Sequence, residues 1–127
     1  MEKKAPRPTD AELAILRVLW DRGPSTVREV HDALRDTQVS GYTTVLKLMQ
    51  IMTEKGLVDR DASNRAHVYT SRYGQDRTQH QLLRDLADRA FGGSPARLVM
   101  HALSSTRASA EEMKAMRRLL DQMEKKA

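Results

Sequence analysis

The sequence predicts a mainly α-helical chain that carries one small β-hairpin. Apolar residues recur at intervals of three and four along most of the 127 residues, which is the period of an amphipathic helix. Three Ser/Thr-x-x-Glu patterns, at residues 9–12, 26–29 and 109–112, are capping boxes that mark helix starts. The helical period gives way to near-alternation at residues 57–70, which indicates a hairpin.

The composition is that of a soluble helical protein with a moderate basic excess. Lys and Arg number 22 and Asp and Glu 17, so the net charge is +5. No apolar run approaches the roughly 20 residues of a membrane span, and no secretory signal is present, so we expect a cytoplasmic protein without membrane insertion. The absence of Cys excludes a disulfide scaffold and thiolate metal sites. The basic excess favours an acidic partner such as nucleic acid, although a well-solvated surface would give the same balance.

A short arm and two helices open the chain. Residues 1–8 contain two prolines and little to pack, so we expect a flexible arm. The first helix starts at the box of residues 9–12 and ends before Pro24, because proline biases the preceding residue away from helix. The second helix starts at the box of residues 26–29. The apolar residues of these two helices are Leu13, Leu16, Leu19, Trp20, Val27, Val30, Ala33 and Leu34.

The third helix is followed directly by the hairpin. The helix is predicted from about Tyr42 to Lys55, and Gly56 suits the left-handed conformation that ends many helices. Polarity then nearly alternates in residues 57–61 and 66–70, on the two sides of a polar turn. The apolar residues that share one face of the third helix are Tyr42, Val45, Leu48, Met49 and Met52. We expect Trp20, Val30, Val45, Met49 and Tyr69 to form the core.

Three helices followed by a hairpin is the element order of a winged helix-turn-helix, which we predict for residues 9–74. In that architecture the second helix of the motif, here the third helix, enters the DNA major groove by its N-terminal end. Thr hydroxyls and methyls can contact base edges, Lys47 can reach guanine or phosphate, and Gln50 can pair with adenine. A solvated polar face would show the same residues. The outward face of this helix carries Thr43, Thr44, Lys47, Gln50, Ile51 and Glu54.

The turn of the hairpin strengthens the DNA-binding interpretation. Residues 62–72 contain two arginines, one histidine and no acidic residue. Arg65 lies at the turn, where a wing would contact the phosphate backbone or the minor groove. The candidate DNA-binding residues are therefore Tyr42, Thr43, Thr44, Lys47, Gln50, Arg65 and His67.

Residues 75–127 are predicted to form a helical dimerisation domain. Two glycines at residues 92–93 separate its first two helices, residues 94–95 cap the second, and the box at 109–112 starts the third. About 50 residues in three amphipathic helices rarely bury enough surface to be stable alone. The apolar stripes therefore need a second copy of the chain or the first domain to cover them. The candidate dimerisation residues are Leu82, Leu86, Phe91, Leu98, Met113, Met116, Leu120 and Met123.

The sequence lacks the residue patterns of an enzyme. Its four histidines, at positions 31, 67, 80 and 101, include no pair at the i, i+3 or i, i+4 spacing of metal ligands. It contains no GxSxG, no phosphate-binding glycine loop and no HExxH. We therefore expect no catalytic residues, no metal and no cofactor, and a hydrolase is nearly excluded. The remaining alternative to a DNA-binding protein is a winged-helix adaptor that binds another protein.

The order of these motifs resembles the BlaI/MecI/CopY family of bacterial transcriptional repressors, of the penicillinase repressor type. The resemblance covers nearly the whole chain after the arm. It implies a homodimer whose winged helices bind a palindromic operator in double-stranded DNA, with Thr43 and Thr44 at the start of the recognition helix and Arg65 on the wing. The segments that carry it are residues 9–13, 19–20, 23–24, 26–31, 42–46, 54–58, 65–69, 91–95 and 98–99.

The chain differs from the family in the residues through which repression is relieved. In the family, a membrane sensor-protease system acts on the repressor, or copper does so in the CopY branch. Copper sensing through thiolates is excluded here because the chain has no Cys. The Asn-Phe bond at which penicillinase-type members are cut is replaced by Leu-Val-Met-His-Ala at residues 98–102. Lys47 and Ile51 stand where many members have a small polar residue and Arg, so a different operator sequence is expected.

Overall fold

The structure, a computed structural model, describes residues 6–37 and 41–127. Within them the chain is mainly helical with a small antiparallel sheet, as predicted. The elements are α1 (Asp10–Arg22), β1 (Ser25–Thr26), α2 (Val27–Leu34), α3 (Tyr42–Lys55), β2 (Val58–Asp61), β3 (Val68–Ser71), α4 (Gln75–Ala90), α5 (Pro95–Ser105) and α6 (Ala110–Lys126). Residues 1–5 of the predicted arm lie outside the described residues.

Local sequence signals set the ends of the helices. In each predicted capping box, the hydroxyl of the first residue accepts a hydrogen bond from the amide of the glutamate three positions on, and the glutamate carboxylate accepts one in return. The pairs are Thr9 with Glu12, Thr26 with Glu29, and Ser109 with Glu112. Ser94 caps α5, whose first residue is Pro95. Gly56 ends α3 in the left-handed conformation, with φ 83°. These predictions are confirmed.

The sheet has one strand more than the predicted hairpin. Strands β2 and β3 pair antiparallel, with Val58 opposite Ser71. Strand β1 pairs with the other edge of β3, with Ser25 opposite Tyr69, so the sheet order is β1-β3-β2. Strand β1 was not predicted, because two residues are too few to show a period.

One apolar core lies between α1, α2, α3 and the sheet. Val30, Val45, Met49 and Tyr69 are fully buried in it, as predicted. The predicted Trp20 is only partly buried and packs against the edge of the core. Its indole N–H donates to the carbonyl of Tyr73 at 3.1 Å. The remaining buried members of the core are Ile15, Leu16, Leu19, Val27, Leu34, Met52, Leu57 and Val58.

Two expectations about the inward faces were wrong, and one buried residue was missed. Ala33 is exposed because it lies about 60° around α2 from Val30, at the edge of the apolar stripe. Tyr42 is exposed because it stands in the first turn of α3, beyond the core. Ile15, which was not predicted, is fully buried in α1 beside Leu16.

The chain divides into two compact units, and the division falls inside α4 between Leu82 and Leu83. The predicted second domain starts at residue 75, which is the first residue of α4. The first unit holds α1 to β3. In the second, the amides of Phe91 and Gly93 both donate to the carbonyl of Ala87 at 2.9 Å. Among the described residues, no helix is both long and apolar enough to cross a membrane.

Candidate nucleic-acid interface

At the start of α3, no side chain among the described residues caps the backbone amides. Gly41 stands at the N-cap position and has no side chain to accept from them. In α1, α2, α5 and α6 a hydroxyl fills this role. Free N–H groups at a helix N-terminus attract anions such as phosphate, because the helix dipole is positive there. Thr43 and Thr44 are exposed on the same turn.

The next two turns of α3 present a mixed surface. Lys47 and Gln50 are exposed, as is Ile51 at 36%. Among the described residues no carboxylate lies within ion-pair distance of Lys47. The surface therefore offers a free cation, an amide that can both donate and accept, and an apolar group of the kind that contacts thymine methyls.

A partly buried ion pair links the far end of α3 to α1. The Lys55 ammonium donates to Glu12 Oε1 at 2.7 Å, and Glu12 is 1% exposed. Burial alone would raise the pKa of Glu12, but the hydrogen bonds from Lys55 and Thr9 outweigh it and lower that pKa below its ordinary value. Glu12 also caps α1, so this one carboxylate joins the first turn of α1 to the last turn of α3.

A cleft of about 400 Å³ opens between the starts of α2 and α3 and the hairpin. It brings together three of the predicted DNA-binding residues, Tyr42, Arg65 and His67. The other four predicted residues lie outside it, on the exposed face of α3. The residues that line the cleft are Thr26, Val27, Arg28, Tyr42, Leu46, Arg65, Ala66, His67 and Tyr69.

Sequence reasoning missed Arg28, which lines the same cleft. Its guanidinium carbon lies 5.2 Å from the centroid of the Tyr42 ring, in cation–π geometry. The ring of His31, one turn along α2, meets the same tyrosine edge-on at 6.1 Å. The position of Arg28 in the first turn of α2 could have identified it. A cation there is unfavourable next to the positive end of the helix dipole, and a bound anion would offset that repulsion.

In the hairpin turn, Asp61 accepts a hydrogen bond from the backbone, and Arg65 has no ion-pair partner among the described residues. Asp61 Oδ1 accepts from the backbone amide of Ser63 at 2.9 Å. Hydrogen bonds from Ser63 lower the pKa of Asp61, and the nearby His67 lowers it further by a smaller amount. At the base of the hairpin, Arg72 is paired with Asp59 at 2.7 Å. Arg65 has no such carboxylate among the described residues.

Among residues 6–37 and 41–127, no group of three or more His, Cys, Asp or Glu side chains is arranged to hold a metal ion. The predicted dimerisation residues lie on α4, α5 and α6 or in the link between the first two. Leu82, Phe91, Leu98 and Met116 are half-buried, and Leu86, Met113, Leu120 and Met123 are exposed. Further exposed apolar residues, outside the candidate dimerisation set, are Leu83, Val99, Met100, Leu103 and Leu119.

Comparison with known sequences finds repressors. Residues 8–122 match the sequence model of the penicillinase repressor family. The transcriptional regulator BlaI of Mycobacterium tuberculosis (strain ATCC 25618 / H37Rv) is 37% identical over 123 residues, which are 95% of this chain and 88% of the relative. The penicillinase repressor of Bacillus licheniformis is 23% identical over 120 residues, which are 94% of each chain.

Comparison with solved structures finds the same kind of protein. The solution structure of the DNA-binding domain of the repressor BlaI matches with a TM-score of 0.52 at 26% identity, over 60% of this chain and 93% of that one. The monomeric form of Bacillus licheniformis BlaI, solved in complex with the blaP half-operator, matches with the same TM-score, identity and coverage.

Proposed function

We propose that this chain, which belongs to the penicillinase repressor family and is a DNA-binding transcriptional repressor, acts as a homodimer on a palindromic operator. Members of this family are transcriptional repressors and not enzymes. The observation that carries the proposal is the exposed face of α3, whose uncapped start lies beside a cationic cleft on a winged-helix fold. The related BlaI of Bacillus licheniformis has been solved in complex with the blaP half-operator.

In this proposal α3 enters the major groove and the hairpin lies along the backbone. Thr43 and Thr44 position the helix or contact bases, and its free amides meet a phosphate. Lys47 reaches guanine or phosphate and Gln50 reaches adenine. Arg65 and His67 contact the backbone from the wing. All six of these residues are exposed, as such contacts require.

Dimerisation is assigned to α4, α5 and α6. Neither α5 nor α6 buries a residue within the single chain. Their stripes of Leu and Met are the kind of surface that a second copy covers, and a two-fold dimer matches the two halves of a palindrome. The protein then acts in the cytoplasm, where a bacterial operator is accessible.

Relief of repression is assigned to loss of the dimer. Residues 98–102, which replace the usual Asn-Phe site, lie inside α5. A sensor-protease of altered specificity that cuts there, or an effector that competes with pairing, would separate the two DNA-binding units. Each unit would then lose the high effective concentration at its half-site that the other provides.

Selection from a random duplex library, followed by footprinting of the selected site, tests the proposal. The full-length protein should enrich a palindromic sequence. Its affinity for that sequence should fall steeply with salt, by a log–log slope of about −0.9 for each phosphate contact. A winged-helix adaptor for proteins would enrich no sequence and would show little dependence on salt, and that result would contradict the proposal.

The role of Lys47 has a matched control in Lys114, an exposed lysine of α6. Lys47→Ala should weaken operator binding by about 1–3 kcal/mol and relax the preference at one base pair if the ammonium contacts a base. If it contacts phosphate alone, affinity should fall equally on all sequences. Lys114→Ala makes the same change in net charge and should leave the affinity nearly as it was. Equal effects of the two substitutions would remove Lys47 from the interface.

A further inference from the structure

We infer that Arg28, Arg65 and His67 form a clamp, contributed by α2 and the hairpin, that binds a phosphate of the DNA backbone beside α3. The inference rests on the proposed function and extends it to a residue, Arg28, outside the recognition helix and the wing. All three side chains line the cleft of about 400 Å³. They come from two segments at least 37 residues apart in sequence, so the fold alone brings these basic side chains together.

The charge balance around the cleft favours an anionic ligand. Four cations of the first unit are already neutralised by carboxylates at 2.7–3.3 Å. These are Arg22, Arg35, Lys55 and Arg72. Arg28 and Arg65 have no such partner within the part of the chain that the structure describes. Asp61 is the acidic side chain whose charge interacts with His67, and its carboxylate is already held by Ser63.

Tyr42 gives Arg28 a fixed position. The guanidinium lies over the face of the ring, which restricts a long side chain that would otherwise move freely in solvent. A guanidinium over a ring still has N–H groups that can donate to a ligand, and two of them match two oxygens of one phosphate. This makes Tyr42 a positioning residue for Arg28, in place of the direct DNA contact expected from the sequence.

The shape of the cleft fits a polymer backbone. The remaining lining is largely apolar, with Val27, Leu46, Ala66 and Tyr69 beside the two arginines and the histidine. Deoxyribose offers apolar surface next to each phosphate, so walls of this kind suit a DNA strand. Leu46 belongs to α3, so the cleft adjoins the helix that is proposed to read the bases. A strand held in the cleft would therefore keep its bases close to α3.

The salt dependence of binding to a short duplex of arbitrary sequence tests the clamp, because phosphate contacts do not depend on sequence. Fluorescence anisotropy between about 50 and 200 mM NaCl gives the log–log slope. Arg28→Ala should reduce the steepness of that slope by about 0.9 for each protomer on the duplex. Arg28→Lys keeps the charge and should keep most of the slope. It should lose affinity, because lysine lacks the planar guanidinium that donates two parallel hydrogen bonds.

Arg77 provides a matched control. Its guanidinium also lies over a tyrosine ring, 4.7 Å from the centroid of Tyr73, but it does not line the cleft. Arg77→Ala therefore removes the same charge and the same type of stacking. It should leave the slope unchanged, and an equal change in both variants would overturn the clamp. Far-ultraviolet circular dichroism and the melting temperature show whether each variant is folded.

A free anion is the competing occupant. Inorganic phosphate, compared with chloride at equal ionic strength, should weaken duplex binding more than chloride does in the unmodified protein and no more than chloride does in Arg28→Ala, because phosphate and the DNA strand then compete for one cleft. Phosphate binding that depends on Arg28 but leaves the affinity for the duplex unchanged would assign the cleft to a small phosphorylated ligand and overturn the clamp. Failure of the unmodified protein to bind any duplex would refute the proposed function itself, which is a different result from an unchanged slope in Arg28→Ala.

Discussion

Glu12 shows how a single side chain can serve two elements. Its carboxylate completes the capping box of α1 and accepts a hydrogen bond from Lys55 at the end of α3. A charge that is 1% exposed is costly unless it is paired and hydrogen-bonded, and Glu12 is both. Lys55 also lies in the last turn of α3, where the helix dipole favours a cation. This pair therefore links the first turn of α1 to the last turn of α3.

The Glu12 pair predicts a pH-dependent stability. Because the pKa of Glu12 is lower in the folded chain than its ordinary value of 4.5, its stabilising contribution is complete above that value and is lost as the pH falls through the folded pKa. Glu12→Gln should lower the free energy of unfolding at pH 7 by about 1–3 kcal/mol. The variant and the unmodified protein should converge in acid. Urea unfolding at pH 7, 5, 4 and 3, about the range over which such a carboxylate titrates, measures both.

Glu54→Gln is the control for that experiment, since Glu54 is an exposed glutamate of α3 with no ion pair among the described residues. It should change the free energy of unfolding at pH 7 by no more than about 0.5 kcal/mol. Several other carboxylates, such as Glu29 and Asp61, also have lowered pKa values, so the unmodified protein loses stability in acid for several reasons. Only the difference between the two curves reports on Glu12.

At the scale of elements, the junction between α3 and the hairpin is set by one glycine. Gly56 has φ 83°, and its amide donates to the carbonyls of Met52 and Thr53. The conformation turns the chain from α3 into β2 within three residues. A Cβ at this position would lie 2.8 Å from Nη1 of Arg72, which is the movable end of a flexible side chain. The strained backbone, more than the contact, therefore determines the cost of any other residue.

Gly56→Ala should destabilise the first unit by about 1–2 kcal/mol, the cost of a left-handed conformation for an L-residue. Gly74 precedes α4, has no positive φ, and has no atom within 4 Å of a Cβ built on it. The Gly74 carbonyl accepts from the amide of Thr78, so Gly74→Ala should lose only the N-cap preference for glycine over alanine, about 0.5 kcal/mol. Thermal unfolding of both variants by circular dichroism makes the comparison. A loss of similar size in both would show that backbone strain at Gly56 is not the cause.

The elements that sequence reasoning found are those with local signals. The three capping boxes, the Gly56 cap and the alternation of residues 57–70 each lie within a few neighbouring positions, and all of them appear in the structure. Strand β1 escaped because its pairing with Tyr69 joins residues 44 positions apart. The cleft escaped for the same reason. Arg65 and His67 could be selected by composition, but the place of Arg28 beside them follows from the packing of α2 against α3.

For the whole molecule, the two compact units differ in what they bury. The first has a core of twelve buried apolar residues among those described. In the second, residues 83–127, Ala87 is the single buried residue. Leu120 and Met123 of α6 are 58% and 60% exposed. Apolar surface of this extent on three amphipathic helices is typical of an oligomer interface.

Leu120→Asp tests the assignment of these helices to dimerisation. A carboxylate at the centre of an apolar interface costs about 3–5 kcal/mol when it has no partner. The variant should therefore be monomeric in sedimentation at low micromolar concentration, where the unmodified protein should be a dimer. Gln122→Asp introduces the same charge on a different side of α6 and should stay dimeric. A folded, monomeric unmodified protein would contradict the assignment.

The bare helices α5 and α6 also bear on how long a repressor molecule survives in the cell. A copy that has lost its partner has little buried surface to hold α5 and α6 folded, and local unfolding exposes a chain to proteases. Under the proposed pairing, separation would therefore shorten the lifetime of the protein as well as its hold on DNA. An inducing signal would need to act only once on each dimer. Repression would then return only after new repressor had been synthesised.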